Sequence, residues 1–110
     1  MLWAFKNFEF FGAPVGIIVT MSRDLSQSQL IDIGMFLQVF QLAAHEQGLG
    51  TCLQASWTMF PEAIRAELNI DNSEMVVCGI SLGYEDSREA VNQVRQARLS
   101  SKQLFSCKGW

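Results

Sequence analysis

Leu30–Ala44, LIDIGMFLQVFQLAA, is the stretch on which the fold of this chain turns. At 3.6 residues per turn, Leu30, Ile33, Leu37, Phe40 and Ala44 share one stripe. Met35, Val39 and Leu42 lie beside it, with Ile31 and Ala43 further round. Only Gly34, Gln38, Gln41 and His45 form a narrow small or polar strip. A helix apolar over most of its circumference must be covered on several sides, so the sequence predicts a buried central helix. Its ends are marked. Ser26 and Gln29 have capping-box spacing, and Gly48 and Gly50 follow the last turn, where a left-handed cap favours a residue without Cβ.

Cover for such a helix is scarce in a chain of 110 residues. One small domain spanning residues 1–110 is the expectation, and chains of this size bury roughly 65% of their unfolded surface. Yet 49% of the residues are hydrophobic, with eight Phe and three Trp, and mean hydropathy is positive. A dimer interface, a flat aromatic cofactor or a further piece of protein would each absorb the surplus. The run 12–21 is too short to span a bilayer, and no basic leader with an apolar run opens the chain. Cys52, Cys78 and Cys107 lack metal or redox spacing, so free thiols in a reducing cytoplasm are expected. Charge is uneven. Residues 1–87 carry three cations against ten acids, a balance of −7, and residues 88–110 carry five cations against one acid, a balance of +4. The basic tail suits an anionic ligand or the acidic body better than nucleic acid, since no nucleic-acid module accompanies it.

Outward from the helix, Val15–Met21 reads as a doubly buried strand introduced by Gly12-Ala13-Pro14. Thr51–Trp57 reads as a second strand and Met75–Leu82 as a third, with a short helix from Pro61 to Leu68 between them. The strand order stays open, although the helix between the first two strands would permit a parallel crossover. The opening is aromatic, with Trp3, Phe5, Phe8, Phe10 and Phe11 at spacings that fit neither helix nor strand. Residues 87–103 are polar and partly helical at most, and Leu104–Trp110 is a short apolar end that needs something to pack on. The fold class is α+β or α/β. With one His and neither a P-loop nor a metal-ligand cluster, hydrolytic and phosphotransfer chemistry have little support.

An ordered set of motifs then resembles the FMN-dependent nitroreductase family. These are Asn7-x-x-Phe10-Phe11-Gly12-Ala13-Pro14-Val15, Asp32–Gln38, Gly48-Leu49-Gly50-Thr51-Cys52, Val76–Tyr84 with Asp86, and Val91-Asn92-x-x-Arg95-x-x-Arg98. The resemblance covers the C-terminal half of a typical member. It implies an α+β fold and an intertwined homodimer whose interface includes the central helix, with a C-terminal arm that crosses to the partner. It also implies that FMN mediates hydride transfer from NAD(P)H to a nitroaromatic, quinone or similar small aromatic acceptor. Under the same resemblance the backbone of Leu53, Gln54, Ala55 and Ser56 lines one flavin face, and Arg98, assisted by Arg95, binds the phosphate. Some members carry Pro and Gly where this chain has Leu53 and Ser56, and Lys where it has Gln96. The N-terminal half of the family, with its Arg-x-Ser-x-Arg motif, has no counterpart here. The alternative from another class is a non-catalytic dimerising remnant that has lost flavin.

Overall fold

The computed structural model describes residues 2–109. Three strands, β1 (Val15–Ser22), β2 (Gly50–Gln54) and β3 (Glu74–Gly83), form one antiparallel sheet in the order β1-β3-β2. The most continuously apolar strand, β3, takes the centre, as burial on both faces requires. The parallel crossover left open by the sequence is therefore split. Helix α2 (Gln29–Glu46) carries the chain from β1 to β2, and β3 inserts antiparallel between them. Pairing is regular from Val15↔Leu82 to Val19↔Cys78 and then shifts at Val19/Thr20, so that Thr20 faces Val76. Such a bulge adds local twist at that end of the sheet.

One face of the sheet carries α2. Leu37 packs with Cys78 and Ile80, flanked by Ile17, Val19, Ile33 and Phe40. The inner stripe of the helix is thus the stripe read from its periodicity, with Leu30 at its exposed end. Gln41 of the polar strip also turns inward and donates to Thr51 Oγ1 at 3.2 Å. Burying a side chain such as Leu37 or Ile80 contributes about 1.5–3 kcal/mol.

The expectation of a helix buried on several sides is met on one side only within this chain. Leu37 and Ala44 alone are buried on α2. Ile31, Met35, Phe36, Val39 and Leu42 are exposed, Phe36 to 60%. Among the described residues no second layer reaches that face, because the sheet packs on the other side of the helix.

The helix ends in a Schellman turn: Gly48 at φ 75° donates to His45 O, and Leu49 donates to Ala44 O at 2.9 Å, as predicted from its glycine. The start differs in detail. The Ser26 amide donates to Gln29 Oε1 at 3.0 Å, but its hydroxyl also donates to that oxygen, at 2.8 Å. Half of the capping box is made, and the helix begins at Gln29 itself.

The second strand ends at Gln54, three residues before the expected Trp57. A 3-10 turn, Ala55–Met59, replaces it, closed by Thr58 Oγ1 donating to Ala55 O at 2.8 Å. Helix α3 (Pro61–Leu68) has the predicted bounds and is tied to β3 by buried Arg65. That side chain donates to Glu74 O at 2.6 Å and pairs with Glu62 at 2.8 Å. Helix α1 (Leu2–Lys6) and a 3-10 segment, Asn7–Gly12, form the aromatic opening.

Beyond Gly83 the chain is exposed and largely irregular, with one 3-10 turn (Ala90–Gln93) and one four-residue helix, α4 (Ser101–Leu104). Leu104 and Phe105 are exposed, and Trp110, expected to pack with them, lies outside the described residues. The arm and the open face of α2 raise the accessible surface to 8896 Å², against about 6,100 Å² for a compact monomer of this mass.

The opposite face of the sheet carries aromatic rings seated over glycines. A Cβ at Gly79 would stand 2.2 Å from Trp57 Cδ1, and one at Gly16 would stand 2.4 Å from Phe10 Cε2. Gly79→Ala must displace the Trp57 ring, and we expect a loss of about 1–3 kcal/mol, read from the midpoint of a urea transition. An unchanged midpoint would show that the ring is not held on the sheet.

Candidate functional site

The candidate site is built where β2 ends. Gln54, the last residue of β2, is 2% exposed, and both ends of its amide are used. Its Oε1 accepts from Ser81 Oγ at 2.7 Å, and its Nε2 donates to Asn7 O at 2.7 Å. This side chain joins the central strand, the second strand and the opening segment. A glutamine can do so because it carries a donor and an acceptor on one planar group.

The opening segment is bent sharply to reach that contact. Phe10 and Phe11 have φ of 49° and 55°, followed by Gly12 at 74°. Two bulky residues in the left-handed region cost about 1–2 kcal/mol each, so packing must hold them there. The Phe10 ring supplies that packing, stacking on Trp57 with centroids 4.6 Å apart and planes 26° apart. Phe8 meets Trp57 and Phe60 edge-on, each at 5.3 Å. Glycines inside strands mark close approach, so Gly16 and Gly79 were the sequence signal for this aromatic layer. The sequence reading did not use them.

Of the residues expected to line a flavin, Leu53 and Gln54 lie in β2, and Ala55 and Ser56 open the following 3-10 turn. These four are consecutive and held on both flanks, by the Gln54 amide and by Trp57. Ser56 Oγ is buried with no hydrogen-bond partner among the described residues. Trp57 Nε1 is also without a partner, because the ring lies against Gly79. Arg95 and Arg98 lie on the exposed, irregular stretch beyond Gly83, and among the described residues neither forms an ion pair. That stretch has no periodicity, so its course was not legible in the sequence.

Beside the turn is an open cleft of about 740 Å³, lined by Asn7, Phe11, Cys52, Tyr84, Asp86 and Asn92 among others. The sequence reading did not anticipate it, and Leu53–Ser56 do not line it. Cys52 reaches it and is exposed, whereas Cys78 is buried. Desolvation pushes both thiols above their ordinary value. A reactive cysteine needs the opposite shift. Among the described residues no group of His, Cys, Asp and Glu could hold a metal ion. None of the described helices is long and apolar enough to cross a membrane.

At the rim of the cleft Asp86 accepts from Arg88 Nε at 3.0 Å, Nη2 at 2.9 Å and the backbone amide at 3.0 Å. These bonds hold the Asp86 carboxyl below its ordinary value, the side-chain contact first. A depressed carboxyl supports the turn above the unfolded value and releases it as pH falls through the folded one. The Arg88 amide should therefore titrate in NMR spectra with a midpoint below about 3.9. A midpoint at or above that value would show that the Asp86–Arg88 contact is not formed.

The model of the Nitroreductase family matches residues 2–84. The chain is 46% identical to 4-nitrobenzoate reductase of Pseudomonas putida over 92 residues, covering 84% of this chain and 40% of that protein. It is 44% identical to chloronitrobenzene nitroreductase of Comamonas testosteroni over 99 residues, covering 90% of this chain and 44% of that protein. The fold matches the FMN- and NADPH-dependent nitroreductase NfnB from Sphigopyxis sp. strain HMH with a TM-score of 0.91 and 31% identity, over 96% of this chain and 47% of that one. NfnB from Mycobacterium smegmatis, solved in complex with NADPH, matches with a TM-score of 0.91 and 27% identity, over 97% of this chain and 48% of that one. The chain thus spans less than half the length of each of these relatives.

Proposed function

Because this chain belongs to the nitroreductase family, we propose that it forms part of an FMN-dependent oxidoreductase that passes hydride from NAD(P)H to a nitroaromatic, quinone or similar acceptor. The observation that carries this reading is the turn at the end of β2. Leu53–Ser56 is tied by the Gln54 amide to Asn7 and Ser81 and flanked by Trp57 stacked on Phe10. A backbone held in this way suits the edge of a flat polar ring.

FMN, when bound, supplies the centre that accepts hydride and returns it to the acceptor. The protein's part is binding and orientation. Backbone amides of Leu53–Ser56 present donors that stabilise added negative charge without ionising. Arg98, with Arg95, suits the phosphate, since a guanidinium can bind two oxygens at fixed geometry. No side chain of this chain is assigned a proton-transfer role.

The reading includes a homodimer. The outer face of α2, with Ile31, Met35, Phe36, Val39 and Leu42 exposed, would pack on a second copy, and the arm would cross to its partner. The three free cysteines and the absence of a spanning helix among the described ones support a cytoplasmic setting. Residues 1–110 would then form a partial domain of the family type. A second reading, a dimerising remnant without flavin, is favoured by one observation: Arg95 and Arg98 are exposed and among the described residues neither forms an ion pair.

A partly built cradle predicts weak binding. Losing one partner of a desolvated, charge-assisted pair costs roughly 2–5 kcal/mol, and about 1.4 kcal/mol is tenfold in affinity. Titrating the chain with FMN should give flavin quenching with a Kd above about 10 μM. Arg98→Ala should weaken it by at least about tenfold. No quenching at millimolar FMN would overturn the flavin reading in favour of the remnant, and tight stoichiometric quenching would show the cradle to be complete.

A further inference from the structure

The Gln54 side chain does more than fill the core beside the turn. It is almost wholly buried, and its two hydrogen bonds reach different parts of the chain: Ser81 on the central strand and Asn7 in the opening segment. The network fixes the orientation of the amide. Asn7 O can only accept, so it must face Nε2, and Ser81 Oγ is left to donate to Oε1. A reversed amide would set two acceptors against each other at 2.7 Å. Three residues after Asn7, the Phe10 ring stacks on Trp57, and Trp57 stands three residues after Gln54. The segment 54–57 is therefore gripped at its first residue by an amide and at its last by a ring. Both grips lead to the same opening segment.

We propose that Gln54 is a positioning residue: its buried amide locks the turn at Asn7 to β2 and, through Phe10 on Trp57, fixes the backbone of Ala55–Ser56. This deepens the flavin reading, on which its functional meaning rests, because the fixed segment is the one assigned to the ring edge. Gln54 would act through the backbone and not by touching the ring itself. The left-handed Phe10 and Phe11 are then the strained part of the device, held because the amide anchors the chain three residues earlier. With the anchor removed, that backbone is free to relax and the Phe10 ring to leave Trp57.

The test uses a substitution that makes the anchor depend on pH. Gln54→Glu keeps the shape and the Ser81 contact. As a carboxylate it places negative charge against Asn7 O, and as a carboxylic acid its O–H donates a hydrogen bond to that oxygen. Burial and the facing carbonyl both raise the pKa of the introduced group. The cleft lined by Asn7, Cys52 and Ser81 also carries Lys6, Glu85, Asp86 and Glu89, and Glu9 stands two residues after Asn7. The hydrogen bonds of the Gln54 amide go to Asn7 and Ser81 and none to a carboxylate, so the wild type has no such dependence at this contact.

The readout is the fluorine resonance of Trp57 in the full chain labelled with 5-fluorotryptophan, assigned by Trp57→Phe and recorded without flavin. In Gln54→Glu the resonance should be displaced at pH 7.5 and return to the wild-type position at pH 5. The wild type should be unchanged across the range. A resonance in Gln54→Glu that matches wild type at pH 7.5, or that is displaced equally at both pH values, overturns the proposal. If Gln54→Glu does not fold at pH 7.5, Gln54→Met decides: it keeps the bulk and lacks both hydrogen bonds, so Trp57 must shift, and an unshifted resonance overturns the proposal. FMN quenching on the same samples separates the two readings. Wild type that fails to quench ends the flavin reading and leaves the Trp57 result standing. Wild type that quenches, with a Gln54→Glu variant that quenches at least tenfold more weakly at pH 7.5 than at pH 5, supports both.

Discussion

A sheet of three strands has two faces and can cover a helix from one side only. This constraint governs the whole chain. Helix α2 places Leu37 on Cys78 and Ile80, and among the described residues nothing covers Phe36, Val39 or Leu42. Hydrophobic stabilisation scales with apolar area removed from water. The uncovered face is thus a surface whose burial remains to be gained. The excess of one chain over a compact monomer, about 2,800 Å², exceeds the roughly 1,000–2,500 Å² that each partner buries in many obligate interfaces.

The other face of the sheet is closed by a different device. Two strand glycines make hollows at Gly16 and Gly79, and Phe10 and Trp57 fill them. The buried amide of Gln54 then ties the segment carrying Phe10 to the strand preceding Trp57. One face is thus finished within the chain and carries the ordered turn Leu53–Ser56. The other is left open and carries the helix. The functional reading follows this division, with a rigid edge for a flat cofactor on one side and an association surface on the other.

Much of this was legible in the residues. The periodicity of Leu30–Ala44 identified both the helix and its inner stripe, because a 3.6-residue repeat is a local property. Pro61 and the apolar run of Met75–Leu82 marked α3 and β3 for the same reason. The ordered motifs identified the family. The split crossover was not legible, since nothing local says that β3 will insert between β1 and β2. Nor was the end of β2 at Gln54: TCLQASW has strand-like composition, but Trp57 leaves the sheet to cover Gly79 across it. The positions of Arg95 and Arg98 were hidden because their segment has no periodicity, and its place depends on what it docks against. The Asn7–Gln54–Ser81 network joins residues 47 and 27 positions apart, a pairing that only the fold reveals.

The central claim is that the outer face of α2 is an association surface, and the mass of the particle in solution tests it most directly. Sedimentation velocity at micromolar concentration should give a species of about twice 12.4 kDa. Phe36→Asp, which puts an unpaired charge in the buried contact, should convert it to monomer without loss of the sheet. A stable wild-type monomer at 12.4 kDa, or a Phe36→Asp variant that associates as tightly as wild type, would contradict the account.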